Sequence, residues 1–88
     1  MSGQLDDLRT QITANDREVV ARVNERLRLV AELWQLKQEL GVDQLDPDRE
    51  QALRDELARV NEGPLSAAGL DRLVTELLTL TKRELGPG

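Results

Sequence analysis

The chain has 88 residues, 12 of them basic and 17 acidic, for a net charge of −5. It contains no Cys and no His, which excludes disulfides, zinc sites and His- or Cys-based nucleophilic catalysis. Its acidity and its single aromatic residue, Trp34, argue against nucleic acid as a partner, and no run approaches the roughly 20 apolar residues of a membrane span.

The N-terminal run Met1 to Asp7 has no basic start and no apolar stretch, so it does not read as a signal peptide. A cytoplasmic, all-α protein of one domain, residues 1–88, is expected. A monomer of this size buries little core and needs a staple. With no Cys available, the expected staple is a second chain.

Three helices follow from the apolar spacing. Leu5, Leu8, Ile12, Val19, Val23, Leu27, Val30, Trp34 and Leu40 recur at intervals of three and four or their sums, the period of a helix face. No Pro or Gly interrupts Gln4 to Leu40, and Gly41 is a natural stop. The second helix opens at Asp46-Pro47, with Asp as N-cap and Pro at the first helical position. Its apolar residues are Ala52, Leu53, Leu57 and Val60, and it ends near Asn61-Glu62-Gly63-Pro64. Ser66 caps the third helix, with Leu65 and Leu70 placed for a hydrophobic staple. Leu70, Leu73, Val74, Leu77, Leu78 and Leu85 make its apolar face, and Gly86-Pro87-Gly88 ends it.

The first helix is too long for a compact monomer. About 36 residues at ~1.5 Å each span roughly 54 Å, against a radius of gyration of about 12 Å for a globule of this length. One end must project with its apolar stripe bare. An antiparallel two-fold dimer, with the short helices folded around two long ones, is the simplest remedy.

Polar residues interrupt the stripe. Arg26 and Lys37 lie three turns apart to within about 20°, so they share a face with Val19, Val23, Val30 and Leu33. Thr81 stands in line with Leu70, Val74 and Leu77. Asp46, Asp48, Arg49 and Glu50 cluster at the start of the second helix. Taken singly, each has an ordinary reading. Arg and Lys snorkel to water, Thr bonds back to its own helix, and Asp46 is a cap. Taken together, two cations on one inward face with no acid between them point to a bound anion, because unpaired buried charge is costly. Arg suits a carboxylate and Lys supplies a point donor. Periodicity alone reaches a helical dimer with a buried anion site.

The run Leu5-Asp-Asp-Leu-Arg9-x-x-Ile12-x-x-x-Asp16, then Asn24-Glu25-Arg26, Lys37, Asp46-Pro-Asp-Arg49-Glu50 and Asn61-Glu-Gly-Pro-Leu-Ser66 resembles the all-helical chorismate mutases. The resemblance covers nearly the whole chain, with the family's spacing between its parts. It implies an intertwined three-helix homodimer with two shared sites, converting chorismate to prephenate on the way to phenylalanine and tyrosine. It implies that Arg26 binds one substrate carboxylate and that Arg9 reaches in from the partner subunit. Lys37 resembles the donor to the ether oxygen of the breaking bond. Glu50 resembles the carboxylate that holds the ring hydroxyl, helped by backbone near Asp46. Arg49 resembles a further site arginine, and Thr81 falls where the family often carries a serine near the ring carboxylate. The rearrangement is unimolecular and pericyclic, so no cofactor, metal, nucleophile or general base is required. Orientation and charge stabilisation at the ether oxygen suffice.

One position departs from the pattern. Where many members carry Gln or Glu four residues after the serine, this chain has Leu85, with Glu84 beside it. The run Arg83-Glu84-Leu85-Gly86 resembles a subgroup of small actinobacterial mutases, which implies weak activity alone and activation by the first enzyme of the shikimate pathway. Two rivals share the anion-binding logic: isochorismate–pyruvate lyase and aminodeoxychorismate mutase. A carboxylate at Glu50 suits a ring hydroxyl but also accepts a ring amine. A third alternative, from another class, is a catalytically idle helical dimer acting as a regulatory module.

Overall fold

The computed structural model describes residues 2–43 and 46–86. Helix α1 spans Ser2–Leu40, α2 Pro47–Val60 and α3 Ala67–Leu85. The first helix begins two residues earlier than its apolar spacing suggests, with Gly3 inside it. Met1, Pro87 and Gly88 lie outside the described residues, the last two having been expected to end α3 with Gly86.

Local chemistry sets each boundary. At the end of α1, Gly41 takes φ 69°, where a side chain would clash. The Val42 amide then donates to the Lys37 carbonyl at 2.9 Å and the Gly41 amide to the Gln38 carbonyl at 3.2 Å. This pair of bonds closes the helix and leaves Lys37 in its last turn. Asp46 caps α2: its Oδ1 accepts from the Arg49 amide at 3.1 Å. Between α2 and α3, Asn61 braces the turn. Its Oδ1 accepts from the Gly63 amide at 3.1 Å and its Nδ2 donates to the Leu65 carbonyl at 2.9 Å. Ser66 Oγ accepts from the Gly69 amide at 3.0 Å, capping α3. Leu65 folds back over Gly69, where an added Cβ would meet its Cδ1 at 2.8 Å.

Helix α3 is the element on which the other two rest. It packs on both α1 and α2, which do not pack on one another. Arg54 of α2 clasps it, donating to Asp71 Oδ1 at 2.7 Å and to Thr75 Oγ1 at 3.0 Å. Among the described residues the only buried side chains are Val74 and Thr81, both on α3.

The long helix projects as its length requires. It has 39 residues, about 58 Å at ~1.5 Å each, and the chain measures 60 × 24 × 17 Å with a radius of gyration of 16.7 Å. Val23, Leu27, Val30 and Trp34 are half-buried, whereas Leu5, Leu8, Ile12 and Val19 are each at least half exposed. Leu73 of α3, expected in the apolar face, is 48% exposed, and Val60 of α2 is exposed too. Among the described residues these flanks stay largely open. Among the described residues no helix is long and apolar enough to cross a membrane.

Candidate active site

A cavity of about 250 Å³ opens between the C-terminal half of α1 and the N-terminal turn of α2, floored by α3. Its wall from α1 is Arg26, Val30, Leu33, Trp34 and Lys37. From α2 come Arg49, Glu50 and Leu53, with Asp46 at the cap, and from α3 come Leu78, Thr81 and Lys82. The helix period explains the selection. Arg26, Val30, Leu33 and Lys37 fall within about 60° of arc at 100° per residue, and Trp34 lies beside them.

The walls are apolar and the charges few but one-sided. Four cations, Arg26, Lys37, Arg49 and Lys82, face two carboxylates, Asp46 and Glu50. The cavity thus carries an excess of two positive charges in a chain of net charge −5. Such a concave site with an excess of positive charge favours a small anion.

Arg26 is held in place. Its Nη1 donates to Thr81 Oγ1 at 2.6 Å, and the Thr81 hydroxyl donates in turn to the Leu77 carbonyl at 2.7 Å. The hydroxyl therefore bonds back to its own helix, as a helical Thr commonly does, and still offers a lone pair to the guanidinium. That bond fixes the guanidinium against α3. Asp46 is likewise both a cap and a lining residue, since the bond it accepts from the Arg49 amide orients the first turn of α2. Glu50 Oε1 lies 3.6 Å from Lys82 Nζ.

Six of the seven residues that the resemblance assigns to the site therefore line one cavity: Arg26, Lys37, Asp46, Arg49, Glu50 and Thr81. Arg9 does not. It is exposed on the projecting half of α1, 17 positions and about 25 Å along the helix from Arg26. Leu85 is half-buried in the last turn of α3 and Glu84 is exposed, and neither lines the cavity. Sequence reasoning missed Lys82, whose one signal is its place four residues beyond Leu78 on a helix flank. Among the described residues no group of acidic side chains is placed to hold a metal ion.

Fold and site together define an all-helical protein with a cleft whose lining carries more cations than carboxylates. Residues 8–84 match the family described as chorismate mutase type II, and the chain belongs to that family. Its activity is that of a chorismate mutase, an intramolecular isomerase. Two solved structures of chorismate mutase from Thermus thermophilus are similar to it. Form I shares 31% identity at a TM-score of 0.85, over 89% of this chain and 98% of that one. Form II shares 29% at a TM-score of 0.87, over 93% of each. No curated protein gives a match.

Proposed function

We propose that the cavity binds chorismate and that its side chains promote the rearrangement to prephenate by orientation and electrostatics. The observation that carries this reading is the gathering of Arg26, Lys37 and Arg49 with Glu50 and Thr81 around one apolar-walled cleft. Chorismate is a dianion whose enolpyruvyl arm must fold over the ring before reaction. Arg26, steadied by Thr81, takes one carboxylate through its remaining N–H groups. Holding both ends of the substrate converts a rare folded conformer into the bound one. As the ether C–O bond breaks and the new C–C bond forms, negative charge grows on the ether oxygen. Lys37 is the donor assigned to that oxygen, and a preorganised donor lowers the barrier because it needs no reorganisation at the moment of reaction. Glu50 accepts from the ring hydroxyl, with Arg49 and Asp46 setting the turn from which it projects.

The site is completed by a second copy of the chain. Supporting this are the bare apolar stripe on the N-terminal half of α1 and the position of Arg9 on that half. An antiparallel pairing of two α1 helices covers the stripe and carries Arg9 of one chain to Arg26 and Lys37 of the other. Activation by a partner enzyme also belongs to this reading. Leu85 supports it, since it offers no donor where related sites have one. A dianion does not cross a bilayer unaided, so the enzyme works where its substrate is made, in the cytoplasm.

Incubating the purified protein with chorismate and separating the products by chromatography tests the reading. Prephenate is expected. Release of pyruvate from isochorismate, without turnover of chorismate, contradicts it.

A further inference from the structure

We propose that Lys82 sets the enzyme's preference for a ring hydroxyl over a ring amine, by pairing with Glu50 at the cavity wall. The inference deepens the reading above and rests on the assignment of Glu50 to the ring substituent.

The argument starts from two facts about Lys82. It lines the same cavity as Glu50, and its Nζ lies 3.6 Å from Glu50 Oε1. The two side chains are 50% and 36% exposed, respectively, so the pair sits at the mouth of the cleft. A bare carboxylate at this position would select poorly between substituents. It accepts a hydrogen bond from a hydroxyl, and it attracts an ammonium more strongly through full charge–charge interaction. An unpaired Glu50 would therefore favour the ring amine.

Lys82 reverses that order. With the ammonium of Lys82 3.6 Å from Oε1, part of the carboxylate's charge is offset and Oε2 still carries lone pairs. A ring hydroxyl needs only one of these and brings no charge. A ring ammonium would place a second cation against a carboxylate already paired with Lys82. The surrounding groups add to the penalty, since Arg26, Lys37 and Arg49 line the same cavity and Asp46 is turned to the amide of Arg49. Lys82 thus acts through Glu50 as a specificity-determining residue. It discriminates by repelling the competitor.

The size of the effect follows from exposure. Two unit charges about 4 Å apart in water interact by roughly a factor of five in affinity, and exposed pairs measure at or below this. The test uses 4-amino-4-deoxychorismate as a competitor of chorismate, comparing its Ki with the KM for chorismate in the parent enzyme, Lys82→Met, Lys82→Gln and Lys82→Arg. The ratio of Ki to KM is expected to fall by about two- to fivefold in both neutral variants and to stay at the parent value in Lys82→Arg. Damage to the cleft as a whole would raise both constants together and leave the ratio alone. A ratio in Lys82→Met and Lys82→Gln that stays within about twofold of the parent, a window set by the weakest exposed pairs, overturns the proposal. A parent enzyme that turns over no chorismate overturns the functional reading, and this inference with it.

Discussion

Thr81 accepts a hydrogen bond from Arg26 at 2.6 Å while donating its own proton to the Leu77 carbonyl at 2.7 Å. The chain of bonds ties a guanidinium on the longest helix to the backbone of the helix that forms the floor. Thr81 is one of two buried side chains among the described residues, so water is a poor substitute for either partner.

Thr81→Val keeps the shape of the side chain and removes the acceptor. Arg26 then loses a charge-assisted bond of about 1.5 kcal/mol and is no longer aimed. The expected result is a fall of roughly tenfold in kcat/KM for chorismate, carried mainly by KM. Thr81→Ser should stay close to the parent. Steady-state kinetics on both variants check this.

Lys37→Ala should lose roughly 10²–10³ in kcat, the usual cost of removing one preorganised donor to a developing oxyanion. Lys37 is half-buried in the last turn of α1, and the Val42 amide that closes the helix bonds its carbonyl, which the substitution keeps. The thermal melt should therefore stay near that of the parent. Measuring kcat and circular dichroism together separates lost chemistry from lost fold.

Arg54→Ala should do the reverse. Arg54 is 26% exposed and joins α2 to α3 through Asp71 and Thr75, and it is not among the residues that line the cavity between α1 and α2. An ion pair with one exposed partner contributes up to about 1 kcal/mol, which shifts the melting temperature of a chain this size by about 4–8 °C. The KM for chorismate, measured well below the melt, should change less than the melting temperature suggests.

How much of the structure is legible in the sequence depends on how local each signal is. Gly41, Asp46 and Ser66 mark helix ends because a cap is decided by one side chain and the backbone within three residues of it. Arg26 and Lys37 are legible as a pair because helical periodicity places residues eleven apart on one face. Lys82 is not, because it lies about 80° around α3 from Val74. A residue on that flank meets solvent or a cavity depending on where α2 runs, which spacing does not encode. Leu73 fails for a related reason. The apolar pattern marks a face to be covered, and in a single chain its flank has nothing to cover it. The role of Thr81 is half legible: its inward position is clear, but its bond to a residue 55 positions away needs the packing of α1 on α3.

Ile12→Asp tests the covering of the long helix. Ile12 is 58% exposed on the projecting half of α1, in line with Leu5, Leu8 and Val19. A carboxylate placed in a seam between two such helices is unpaired and costly to bury. Sedimentation at micromolar concentration should show the parent as a dimer and the variant as a monomer, with chorismate turnover lost alongside.

The most direct measurement asks whether each site is shared between two chains. Arg9→Ala and Lys37→Ala homodimers should each be nearly inactive, since every site then lacks one cation. Unfolding and refolding a one-to-one mixture should give heterodimers in about half the molecules if pairing is random. Each heterodimer holds one site with Arg9 and Lys37 both intact and one site lacking both. Activity should therefore return to about a quarter of the parent value per subunit, given random two-fold pairing. A mixture that stays as inactive as its two parents, with subunit exchange verified by mass, would place Arg9 and Lys37 in the same chain's site and contradict the shared-site account.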